Sequence, residues 1–170
     1  MFPSTTPMSL PLLKSLFAHT AWANARVLDA LRNAPGDDPH ALGQFAHLLA
    51  AEHVWLARIE KRRGNVPVWP VLTLDECAAL AEENARAYAR FLESETEGSI
   101  VREFDYTNSA AHPFTGRLSD VLAHVALHGS YHRGQISLMV RRSGGHPAPT
   151  DFILFTRERP AAPSPSGGTR

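Results

Sequence analysis

Three histidines, His124, His128 and His132, recur at four-residue steps in the segment DVLAHVALHGSYHRGQ (120–135). On a helix, residues at i and i+4 are neighbours with Cβ atoms roughly 5–6 Å apart, so two imidazoles of such a pair can reach one metal ion. A mononuclear site takes at least three protein ligands. Two can come from this helix, and the third must come from another element.

The three histidines are not equivalent. On a wheel centred on His128, His132 falls about 40° toward an apolar stripe of Leu118, Val121, Val125 and Ile136, and His124 falls about 40° the other way, beside Tyr131. His128 and His132 are therefore the preferred pair and His124 a flanking residue. A His124/His128 pair stays open, as does a plain pair of core histidines bonded to tyrosine or backbone. Antiparallel helices pack about 8–10 Å apart, within reach of a histidine on a facing helix. His47 is such a residue, with Ala46, Ala50 and Ala51 leaving room beside it. Spacing alone leaves His47 open between ligand and ordinary helix histidine. His53 falls about 120° away from His47 and is assigned to the surface. His19, His40, His112 and His146 have no i,i+4 histidine partner and are left out of the site.

Other chemistries lack their residues. The sequence has one cysteine, Cys77, and no HExxH, Glu-x-x-His, GxSxG or glycine-rich phosphate loop. A serine or cysteine nucleophile is unsupported. Glu52 lies about 140° around its helix from His47, so no general base is placed for hydrolysis. Near the ligand pair, Arg133 flanks it. Gln135 has either a ligand-orienting role or a solvated or interhelical one, and Gly134 within a helix suggests a close helix contact. Trp22, Trp55 and Trp69 are assigned to core or interfaces.

The elements that must position these residues are helices. Apolar residues at three- and four-residue steps predict a helix over 9–33, with Pro11 in its first turn, and a second over 40–63 with Gly64 as its stop. The intervening GNVPVWP (64–70) reads as an ordered crossover. Thr73-Leu74-Asp75-Glu76 is a capping-box pattern that opens a third helix, running to about 97 with Gly98 closing it. IVREFDY and PFTGR, separated by NSAAH, predict a short hairpin or irregular connection. A fourth helix follows over about 119–142, and DFILF (151–155) packs back on the domain. The expectation is an all-α four-helix bundle over residues 9–156, with a disordered leader (1–8) and a disordered Pro/Ser/Gly tail (157–170). Met8 is an alternative start.

Bulk composition narrows the function classes. The chain has 170 residues, 44% of them hydrophobic, with 17 basic against 17 acidic side chains. A balanced charge argues against nucleic acid as a partner, and no run approaches the roughly 20 apolar residues that span a bilayer. One cysteine fits a reducing cytoplasm.

FAHTAWANARVLDAL, HLLAAEHVWLARI and HVALHGSYHRGQI together resemble the DinB family, over roughly residues 9–156. These are small four-helix-bundle metal-binding proteins, related to the YfiT group and to thiol-dependent transferases and isomerases. The H-x-x-x-H-R-G-Q segment is the most specific part of the likeness. The resemblance implies a metal triad of His47, His128 and His132, a bound divalent transition metal (Zn, Ni or Fe), and homodimers. It also implies a metal-dependent transferase acting through a low-molecular-weight thiol on a small electrophile. The alternatives are a hydrolase using metal-bound water, or a metal-stabilised stress or interaction protein without enzymatic activity.

Overall fold

A computed structural model describes residues 7–36 and 38–158. Four long helices make a bundle: α1 (Leu10–Arg32), α2 (Pro39–Ile59), α3 (Leu74–Glu93) and α4 (Leu118–Arg142). A hairpin of β1 (Glu103–Thr107) and β2 (Pro113–Arg117) precedes α4, and a short α5 (Phe152–Glu158) follows it. Around the bundle the cyclic order is α1, α3, α2, α4. The expected leader and tail fall on residues 1–6 and 159–170 for the most part, which lie outside the described residues.

Local signals account for most helix ends. Pro11 stands in the first turn of α1. The Asp38 side chain accepts from the backbone N–H groups of His40 and Ala41, capping α2. Thr73 and Glu76 form the reciprocal capping box of α3. Two predicted ends are wrong. Helix α2 stops at Ile59 and not at 63, because Lys61 adopts φ 53°, its N–H returns to Arg58 and that of Arg62 returns to Ala57. That is a Schellman closure with lysine in the left-handed position, so Gly64 is not the stop. Helix α3 ends at Glu93, with Ser94 as its cap, and not near Gly98.

The predicted hairpin is present and antiparallel, pairing Glu103 with Arg117 and Tyr106 with Phe114. Its base is tied to the start of α4 by Leu118 N–H to Arg102 O and Ser119 N–H to Ile100 O, both 2.9 Å. The DFILF segment becomes α5, whose Phe155 packs against His19 and Trp22 of α1.

The core has two apolar clusters. One joins Leu13 and Phe17 of α1 to Leu56, Tyr88 and Leu122, beneath the hairpin. The other joins Val27 and Leu28 to Phe45, Leu48, Cys77 and Ile136. Following the chain between them shows that α2 and α3 both run from the second cluster to the first, while α1 and α4 run the other way. The α2–α3 connection must therefore travel back along the bundle, and that return carries residues 64–70 past α2.

Between the clusters lies a buried polar layer with one residue from each of the four long helices. Asn24 donates to Glu52 Oε1 at 3.0 Å, Asn84 donates to Glu52 Oε2 at 3.3 Å, and Arg133 donates to Asn24 Oδ1 at 3.0 Å. Tyr88 adds a bond to the Glu52 carbonyl. A side chain at Gly129 would crowd this arginine, since a Cβ there would lie 3.0 Å from Arg133 Nη1. The inferred close helix contact at Gly134 is not found: a Cβ there meets nothing within 4 Å. The glycine that matters for packing is Gly129, five residues earlier.

A candidate metal centre between α2 and α4

Helix α4 brings His128 and His132 to one side, as the four-residue step requires, and α2 lies against that side. His47 projects from α2 into the same place. One ring nitrogen from each of His47, His128 and His132 lies within 4.8 Å of the others, and among the described residues this is the group able to hold a metal ion. His47 and His132 are buried and His128 is half-buried. His124 stays outside the group on the exposed surface, its ring 5.6 Å from that of His128.

The donor set fits a transition metal. His47 Nδ1 is 2.8 Å from the Val68 carbonyl, and His132 Nδ1 is 3.0 Å from Gln44 Oε1. Both partners are acceptors, so each ring carries its proton on Nδ1 and offers a bare Nε2. The Nε2 atoms of His128 and His132 stand 3.1 Å apart. Two lone pairs cannot face each other at that distance without a proton or a cation between them. Two nitrogens bound at about 2.1 Å to one ion are themselves about 3.0–3.4 Å apart, which matches.

Electrostatics favour the neutral, ligand-competent form. Burial, followed by the neighbouring His132, His124 and His47, holds the His128 imidazole down at about 4. Burial and His47 lower His132 as well.

Several surrounding residues escape the sequence reading. Gln44 orients His132. It sits three residues before His47, one turn along the same helix, and that spacing was the available signal. Trp69 is not a core residue: it is 61% exposed, and its ring lies flat on His47 at 3.7 Å with 8° between planes. His53, assigned to the surface, is 3% exposed. It bonds to Asn65 at 2.8 Å, because the returning loop covers its face of α2. Arg133 belongs to the buried polar layer and not to the cluster's flank. Gln135 donates to Tyr131 at 3.0 Å. Glu52 is held in the core by Asn24 and Asn84, away from the cluster, and burial pushes its carboxyl up to about 7 against the pull of Asn24, Arg133 and Asn84.

Against known proteins, the model described as the DinB family matches residues 1–163. Protein DinB of Bacillus subtilis (strain 168) is 26% identical over 164 residues, covering 82% of this chain and 91% of the relative.

Proposed function

The chain belongs to the DinB family, and on that footing we propose that His47, His128 and His132 hold one divalent transition metal ion in a transferase acting through a low-molecular-weight thiol. The observation that carries this reading is the convergence of three imidazole nitrogens within 4.8 Å, two of the rings pinned in the tautomer a metal needs. Zinc, nickel and iron all suit imidazole donors. When bound, such an ion supplies Lewis acidity that favours the thiolate over the thiol.

The protein's own part is to hold the ligands and dry the site. Val68 and Gln44 fix two rings, and Trp69 covers one face of His47. The reaction joins the thiol sulfur to an electrophilic carbon as that carbon's leaving group departs with its bonding electron pair (chloride from chlorodinitrobenzene), and the thiol proton passes to solvent. Hydrolysis is the weaker reading, because it wants a carboxylate base and Glu52 is committed to Asn24 and Asn84.

Cobalt-loaded, untagged protein is the direct test. Glutathione is expected to produce a sulfur-to-cobalt absorption band in the wild type and none in His128→Ala. The loaded protein is also expected to accelerate glutathione conjugation to chlorodinitrobenzene. Metal binding with no response to any thiol would remove the transferase reading. Ester hydrolysis lost in His128→Ala would install the hydrolase, and chelator-sensitive melting without turnover would leave a metal-stabilised protein.

The same reading includes a second copy of the chain. Leu127, Tyr131 and Leu138 are 65%, 63% and 50% exposed and share one face of α4 with the exposed Gly134, whose missing side chain lets another helix approach. Light scattering is expected to give twice the chain mass, and Leu127→Glu to halve it. A monomer in the wild type would rule this out. Among the described residues no helix is long and apolar enough to cross a membrane.

A further inference from the structure

Beyond His128, one turn back along α4, the ring of His124 lies 5.5 Å from Trp55 on α2, and Trp55 lies 5.1 Å from Tyr106 on the hairpin. These three rings wall a hollow of about 290 Å³ between α2, α4 and β2. Gly116 keeps it open, since a Cβ there would come within 3.3 Å of the Tyr106 ring. The charges at its edge, Arg117 and Asp120, face each other at 3.7 Å. Tyr106 is also a wall of a second hollow of about 380 Å³, which holds Arg58, Lys61 and Arg62.

The second hollow has unbalanced charge. Arg62 is paired with Glu60 at 2.6 Å, and Asp105 accepts from Thr115. Arg58 is half-buried, its guanidinium 4.8 Å over the Trp55 ring with Ser109 as a neutral partner. Among the described residues, no carboxylate comes within ion-pair distance of Arg58 or Lys61. Arg58 and Lys61 against Asp105 leave one positive charge in excess. A partly desolvated guanidinium without an anion is a costly state that a bound carboxylate relieves.

We propose that these two hollows, which share Tyr106 as a wall, together bind a small molecule with a flat apolar body and a carboxylate tail, the body against Trp55 and Tyr106 and the tail on Arg58 and Lys61. His124, a wall of the first hollow, has its ring 5.6 Å from that of His128, so the assignment rests on the proposed function for what happens there and names the substrate class: aryl or conjugated carboxylates. Arg58 and Lys61 set specificity and take no part in the chemistry.

Phenylbutyrate and its neutral analogue phenylbutyramide test this by calorimetric titration of the full chain, metal-loaded and metal-free. Phenylbutyrate is expected to bind about tenfold more tightly than the amide in both states. Arg58→Gln combined with Lys61→Gln is expected to erase that preference while leaving the amide's affinity in place, and Trp55→Ala to weaken both probes. Equal affinity of the two probes in the wild type would overturn the proposal, as would a preference that survives the double variant. A preference that vanishes on metal removal would also overturn it, because the carboxylate would then be on the metal. Neither probe is a thiol and no turnover is read, so failure of the transferase reading leaves this result standing, and the reverse holds too.

Discussion

Arg133→Met is expected to lower the stability of the metal-free protein by about 3–5 kcal/mol at pH 8, the cost of leaving one partner of a buried charged pair alone. The loss is expected to be much smaller at pH 5.5. Arg133 is 1% exposed and Glu52 3% exposed, and Asn24 bridges them. A guanidinium cannot shed its charge, whereas a carboxylate can. The Glu52 carboxyl sits at about 7 in the fold against an ordinary 4.5. Between those pH values the folded chain keeps a proton that the unfolded chain releases. The stability contribution of Glu52 is therefore complete below about 4.5 and is lost as pH rises through about 7. The interval sets a ceiling of about 3 kcal/mol on that term. Without Arg133, whose charge pulls Glu52 downward, the proton is held to still higher pH and the variant's stability falls more steeply. Adding Glu52→Gln is expected to recover much of the loss at pH 8, since the amide resembles the protonated acid. Urea unfolding at both pH values measures all of this, and an equal loss at pH 5.5 and 8 would show that Arg133 acts by packing alone.

His128→Ala is expected to reduce bound metal from one ion per chain to none, with the same result for His47→Ala and His132→Ala. His124→Ala is expected to keep full occupancy, its ring lying outside the cluster. Elemental analysis of untagged protein reads this directly. Loading is also expected to survive at pH 5.5, where an unshifted imidazole would be about nine-tenths protonated, because burial holds His128 down at about 4. The apo protein carries the matching linkage: a folded pKa below the unfolded one stabilises the fold above about 6.5, and that contribution is lost as pH falls toward 4. Its sign is opposite to that of Glu52, so the two partly cancel in the wild type and separate in the variants. Loss of metal in His124→Ala with retention in His128→Ala would reassign the site.

The candidate site was legible in the sequence where its geometry is local. His128 and His132 follow from a four-residue step on one helix, and the capping box at Thr73 and the alternation of β1 are equally local. His47 is different: periodicity on an apolar helix leaves its direction undetermined, and family likeness selected it before the structure placed its ring beside the others. The polar layer was illegible, because Asn24, Glu52, Asn84 and Arg133 each look like a stray polar residue until four helices are brought together. His53 was misplaced, and the core alternative for Trp69 fails, for one shared reason. The returning loop covers one and presents the other, and nothing in the helix pattern of α2 announces a loop lying along it. Lys61 ended α2 early through a backbone angle that composition favours for glycine.

That returning loop is pinned to α2 at two points, Asn65 on His53 and Val68 on His47. The second pin uses a nitrogen of the very ring whose other nitrogen faces the cluster. Opening the loop therefore releases His47 from its tautomer, and an ion that requires that tautomer penalises opening by the same factor with which a closed loop favours the ion. Occupancy and loop closure are one thermodynamic balance. If the triad holds an ion as proposed, a chain starved of it is expected to spend longer with residues 64–70 detached and open to proteolytic nicking, so that metal supply would set the lifetime of the protein.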